Sequence, residues 1–246
     1  MEDTVVWSLH PPGKRTVGES WPEFDSPIFL HTYKMKKTIA LFVNQPKCSI
    51  ECGNAVMNIL QDKYRFKIFT KHRVEDDFFD DVDLIIFPGG TGDAESFFIL
   101  LKQNKELIYK FLENGGAYLG ICMGAYWADK RYFNLLDDIR AVQYITRPNA
   151  DARRPHAKML PIEWDGEPYD MYFYDGCAFT GNFKGTEIVA TYANGDPMAI
   201  IKDNIGLIGC HPESELGWLN KPYLLRKWHE GQHYKLLSDF VDRLLD

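Results

Sequence analysis

Apolar residues along the chain arrive in short unbroken runs separated by amphipathic stretches. TIALFV (38–43), VDLIIFP (82–88), GGAYLGIC (115–122) and NIGLIGC (204–210) carry no polar alternation, as expected of strands covered on both faces. FKIFT (66–70) adds a shorter strand. Between them, Cys52 to Tyr64 places Val56, Ile59 and Leu60 on one side of a helix, and Glu95 to Leu112 reads as helical with a break near Gln103 and Asn104. MGAYWADK (123–130) opens a further helix directly after a strand. Strand and helix in alternation predict an α/β fold of three layers, an open and mostly parallel sheet with helices on both faces.

The middle of the chain is less regular. AVQYI (141–145), KMLPIEW (158–164), MYFYD (171–175), TEIVATY (186–192) and MAIIK (198–202) are strand candidates between Gly, Pro and Asn turns, several of them expected to pair antiparallel at one edge of the main sheet. Pro222 to Leu245 reads as one closing helix, its core side formed by Leu224, Leu225, Trp228, Leu236, Leu237, Phe240, Val241, Leu244 and Leu245. Residues 1–34 contain four prolines, scattered aromatics and no steady period, so they read as an N-terminal extension to a domain spanning 35–246.

Composition narrows the function classes. Hydrophobic residues make up 45% of the 246 and charged residues 26%, enough for a sizeable soluble core. A formal net charge of −7 gives no general attraction to nucleic acid or to anionic lipid. No apolar run reaches spanning length and the N-terminus does not read as a signal peptide, so the expected location is cytoplasmic, with no membrane partner. Five cysteines over this length do not suggest a disulfide scaffold. Cys48 and Cys52, spaced C-x3-C, have no second cysteine pair or neighbouring histidine to complete a metal site, and neither metal nor cofactor is expected. The aromatic load of 16 Phe, 13 Tyr and 6 Trp suits either core packing or a partner surface; Trp218, Tyr223 and Trp228 are candidates to border a pocket.

One cysteine has a setting that asks for chemistry. Gly120-Ile121-Cys122-Met123-Gly124 has the G-x-nucleophile-x-G form of a nucleophile elbow, in which glycines two positions either side let strand and helix approach closely. The thiol would then stand above the carboxyl edge of the sheet, beside a helix start that favours the thiolate. Such a nucleophile needs a base, and the base an orienter. His211-Pro212-Glu213 supplies both at the end of another core strand, provided the proline turn folds the carboxylate back to the imidazole. PGGTGD (88–93) ends the third strand with exposed backbone N–H groups; Gly90 and Met123 are the candidate oxyanion-hole donors, while Asp93 and Glu95 suit the start of the next helix. Neither a G-K-[ST] ending nor a G-x-G-x-x-G motif supports a phosphate or dinucleotide loop.

PGG, GGAYLGICMGAYWA and HPE, in that order, resemble the class I glutamine amidotransferase superfamily, and more closely the amidotransferase-like domain at the N-terminus of some eukaryotic biotin–protein ligases. Residues 35 to about 245 are covered, and Tyr174 to Phe179 resembles a glycine-containing segment of that closer group. The resemblance implies a flavodoxin-like sheet and a glutaminase in which Cys122 attacks the side-chain amide of glutamine, His211 shuttles the proton, Glu213 orients His211, and Gly90 and Met123 hold the oxyanion. No synthetase or transferase domain accompanies the motifs, so ammonia would pass to an acceptor enzyme on another chain. The segments that grip glutamine in typical members have no clear counterpart. Gln143, Tyr144 and Asn182 are polar candidates for that task, and Arg147, Arg153, Arg154 and His156 form a basic cluster suited to a carboxylate or phosphate. Three readings stand at this level: the amidotransferase-like hydrolase, a free-standing cysteine hydrolase or peptidase acting on another amide, and a non-catalytic binding or regulatory domain.

Overall fold

A computed structural model of the chain describes residues 36–246 apart from 46, 48 and 92; the expected N-terminal extension and Cys48 lie outside the described residues. Eleven strands and six α-helices follow one another among them. Strands β1 (Thr38–Phe42), β2 (Arg65–Phe69), β3 (Leu84–Phe87), β4 (Ala117–Ile121) and β11 (Ile205–Ile208) form a parallel core in the order β2-β1-β3-β4-β11. From there β10 (Pro197–Lys202), β9 (Glu187–Tyr192), β6 (Lys158–Trp164) and β7 (Glu167–Phe173) extend the sheet antiparallel to nine strands. A separate ribbon pairs β5 (Ile139–Gln143) with β8 (Cys177–Gly181). The expected three-layer sheet with an antiparallel edge is the fold observed, a mixed sheet with four parallel and four antiparallel pairings.

Every residue of β1, β3, β4 and β11 is buried, which is why their sequences lack alternation. The two faces still separate residue by residue. Ile39 and Leu41 pack with Val56 and Leu60 of α1 (Ile50–Leu60) and with Leu237 and Phe240 of α6 (Gln232–Leu245). Ala40 and Phe42 face the other way, toward Phe97 and Leu101 of α2 (Ala94–Leu101), Ile108 of α3 (Lys105–Glu113) and Trp127 of α4 (Met123–Trp127). Much of the aromatic load belongs to this second face, where Phe42, Phe87, Phe97, Trp127 and Phe133 lie in ring contacts from 4.9 Å (Phe97–Phe133) to 6.1 Å (Phe42–Trp127).

Several element ends differ from expectation for identifiable reasons. Ser49 caps α1 by accepting from the Cys52 N–H, which starts that helix two residues early. The break between α2 and α3 falls at Asn104, whose buried side chain bonds the backbone of Thr70, His72 and Val74 and pins the helix junction to the end of β2. The expected closing helix is instead two, α5 (Pro222–Leu225) and α6, because Glu230 and Gly231 take positive φ of 55° and 78° and interrupt the ladder. Leu225, expected on the core side, is exposed.

Candidate active site

Strand β4 delivers Cys122 to the carboxyl edge of the sheet in a conformation few residues adopt, φ 49° and ψ −100°. The backbone is locked there by the Cys122 N–H donating to the Ile208 carbonyl of β11 at 2.8 Å and by the helix that starts at Met123. Flanking glycines make the turn sterically feasible: a Cβ on Gly120 would lie 2.4 Å from the Gly124 carbonyl oxygen, and one on Gly124 only 2.0 Å from that of Phe87. These are the close approaches the G-x-C-x-G spacing called for.

β11 ends beside β4 and turns through His211-Pro212-Glu213, with the Ser214 N–H bonding back to the His211 carbonyl at 3.2 Å. This turn folds the carboxylate onto the ring, His211 Nδ1 standing 2.9 Å from Glu213 Oε1. Both side chains are buried. Burial opposes a charge on His211, but the Glu213 carboxylate and the Cys122 sulfur outweigh it and hold the imidazole well above its ordinary pKa. Tyr172 and Trp218 pack edge-on against the ring at 5.9 and 5.7 Å and fix its plane.

A second thiol meets the same imidazole. Cys52, in the first turn of α1, interacts with His211 from the side of Gly89, where an added Cβ would lie 2.6 Å from His211 Cε1 and 3.0 Å from Cys52 Sγ. The ligand atoms of Cys52, His211 and Glu213 all lie within 4.8 Å of one another, and this buried cluster matches a catalytic triad in composition, consistent with hydrolase activity. Burial pushes the Cys52 thiol up, which keeps it protonated, whereas Cys122 occupies the strained turn.

Cys122, His211 and Cys52 line one cavity of about 540 Å³ together with Gly90, Met123, Tyr126, Tyr172, Tyr174, Asp175 and Trp218. Met123 N–H belongs to the first turn of α4, where the helix ladder supplies no acceptor. Both proposed oxyanion donors therefore border the same space as the thiol. Gln143 borders a neighbouring cavity instead and donates to Asp175 at 3.2 Å. Tyr144 is a core residue, stacked on Tyr192 at 3.7 Å with its hydroxyl donating to Asp151 at 2.7 Å, because the ribbon to which β5 belongs turns it inward. Asn182 lies past β8, its side chain accepting from the Lys184 N–H rather than reaching the cavity. Of the basic cluster, Arg147 forms a two-point pair with Asp196 at 2.9 and 3.1 Å, and none of the four lines this cavity. Trp218 borders the cavity; Trp228 stacks on His229, and Tyr223 is exposed. Tyr126, Tyr172, Asp175 and Cys52 were not singled out for this site by sequence reasoning, since they converge from separate elements without a shared motif.

Comparison with known proteins agrees with this architecture. Residues 44–143 match the family described as biotin-protein ligase, N terminal. Among solved structures, PurLQS from Thermotoga maritima superposes with a TM-score of 0.61 at 16% identity, over 86% of this chain and 100% of that one. A glutamine amidotransferase from the same organism superposes at 0.62 and 14% identity, over 86% and 99%. The chain has the fold of class I glutamine amidotransferase-like proteins. An exo-beta-1,4-mannosidase from Opitutaceae bacterium strain TAV5 also superposes, at 0.52 and 13% identity over 83% of this chain and 36% of that one, so the superfamily fold alone does not name a reaction. No curated protein sequence matches the chain. Among the described residues, no helix is long and apolar enough to cross a membrane.

Proposed function

We propose that the cavity is the active site of a cysteine amidohydrolase that releases ammonia from the side-chain amide of glutamine for an acceptor enzyme on another chain. The observation that carries this reading is the buried His211–Glu213 pair set against a thiol on a strained elbow. His211 takes the Cys122 proton, and Glu213 stabilises the imidazolium so formed. The sulfur attacks the amide carbon while the N–H groups of Gly90 and Met123 receive the oxyanion. Collapse to the thioester expels ammonia, protonated by His211. The same imidazole then activates water to free the acid and regenerate the thiol. Likeness of fold to a glutamine amidotransferase supports glutamine as the substrate, and the match to the biotin-protein ligase N-terminal family supports the closer resemblance.

A second reading, hydrolysis of a different amide, is favoured by one observation. Glu51, Asp93 and Asp175 line the cavity, and among its described lining residues there is no lysine or arginine to receive the α-carboxylate of free glutamine. The deciding experiment measures ammonia and glutamate from L-glutamine with purified protein, alone and with cell extract to supply a partner. Turnover that disappears in Cys122→Ala supports the leading reading. Absence of turnover in both conditions, together with failure of a glutamine-mimicking electrophile to label Cys122, would overturn it.

A further inference from the structure

The catalytic scheme leaves Cys52 without a task and leaves one oxygen of Glu213 without a partner. Glu213 is wholly buried, yet among the described residues its Oε2 accepts no hydrogen bond. A buried carboxylate oxygen in that state is costly, and a cation beside it removes the cost. Sequence spacing gave Cys52 no histidine; the fold supplies one by bringing the turn after β11 against the first turn of α1, with Gly89 making room between them. Sulfur, imidazole nitrogen and carboxylate oxygen then stand within 4.8 Å of one another. Tetrahedral zinc, with bonds of about 2.0–2.3 Å, needs its donors roughly 3.3–3.8 Å apart, so the 2.9 Å Nδ1–Oε1 pair widens and longer separations close, both by side-chain rotation. One thiolate and one carboxylate neutralise a dication, so the occupied site buries no net charge. Cys52 and His211 both reach the cavity wall, which gives the ion an entry path and an open fourth position.

We propose that Cys52 Sγ, His211 Nδ1 and a Glu213 carboxylate oxygen form a binding site for zinc or another borderline-soft divalent cation, and that the occupied site is catalytically silent. Binding displaces the Cys52 thiol proton and the proton held between Nδ1 and Glu213, so the imidazole loses its orienter. Only the silencing half rests on the hydrolase reading.

Cobalt(II) titrated into the metal-stripped full-length protein tests the site. About one equivalent per chain is expected to give thiolate-to-cobalt charge-transfer absorption that zinc displaces. Cys52→Ser loses this absorption and Cys122→Ser keeps it. In the wild-type protein, zinc slows alkylation of Cys52 at least about tenfold by peptide mass mapping, a readout that needs no variant to fold. No stoichiometric absorption, absorption that survives Cys52→Ser, or unprotected Cys52 would each overturn the site. Zinc bound without loss of glutamine hydrolysis overturns the silencing half. Absence of hydrolysis in the metal-free protein counts against the hydrolase reading instead, and leaves the cobalt signal to decide the site.

Discussion

Among single residues, Glu213 offers the most informative substitution. Its carboxylate is the largest influence holding the His211 imidazole well above its ordinary pKa, against the opposing effect of burial. Glu213→Gln keeps the shape and removes the charge. Turnover is expected to fall by about 100-fold, the usual scale for a disabled general base. The alkaline limb of kcat/KM, which reports loss of the imidazolium proton, moves to lower pH. The stability sign follows from the same shift. A raised folded-state pKa contributes stability fully below the ordinary value near 6.5, and that contribution is lost as pH rises through the raised value. Denaturant midpoints should therefore drop on the alkaline side in the wild-type protein and less so in the variant. If rate and pH limb are both unmoved, Glu213 does not orient His211. Cys122, His211 and Glu213 were legible in the sequence because a strained elbow needs glycines at fixed offsets and because one proline turn joins base to carboxylate. Cys52 was not, since its histidine comes from a distant part of the chain and only the parallel sheet brings the two together.

Elements explain why the elbow tolerates so little change. A Cβ on Gly124 would collide with backbone at 2.0 Å, and neither α4 nor β3 has a flexible side-chain end to give way. Gly124→Ala should cost about 3 kcal/mol by urea unfolding and slow the labelling of Cys122. Gly217→Ala, with nothing within 4 Å of the added carbon, is the matched control and should stay within about 0.5 kcal/mol. A second element-level test concerns α6. Its buried His233 donates from Nε2 to the Ser214 carbonyl at 2.7 Å, tying the helix to the residue after Glu213. Burial drives its pKa down to about 4, the Ser214 bond opposes that shift, and the neighbouring His229 adds to it. Between pH 6.5 and 4 the unfolded chain therefore binds the extra proton, and about 3 kcal/mol of stability is lost on acidification. His233→Asn should flatten that slope, read as urea midpoints across pH; an unchanged slope would assign the loss to other groups. Continuous apolar runs made the parallel strands easy to read. The ribbon strand β8 was missed because CAFTG is short and lies between glycine-bearing turns, and the α5–α6 break because two positive-φ residues interrupt an otherwise unbroken apolar period.

At the scale of the whole molecule, a net charge of −7 combines with the carboxylates of Glu51, Asp93 and Asp175 around a cavity walled by Tyr126, Tyr172, Tyr174 and Trp218. Low-dielectric walls focus that field onto the thiol, and aromatic faces add attraction for a cation. Burial raises the Asp175 pKa, opposed by the Gln143 bond. On the second reading, a substrate amide with a positive end and no free carboxylate fits this field better than zwitterionic glutamine. L-glutaminamide, which keeps the side-chain amide and the ammonium but masks the α-carboxylate, should be cleaved at the side chain with kcat/KM at least about tenfold higher than L-glutamine, a difference of about 1.4 kcal/mol. Because the advantage is electrostatic, it should shrink as salt shortens the Debye length from about 10 Å at 0.1 M toward 3 Å at 1 M, while the rate for glutamine changes little. A preference for glutamine at every salt concentration would mean that backbone N–H groups hold the α-carboxylate despite the surrounding charge, and free glutamine would then be the substrate the cavity is shaped for. A salt-sensitive preference for the cation would make the acidic rim the selector and direct the search for the natural substrate toward amides carrying an amine.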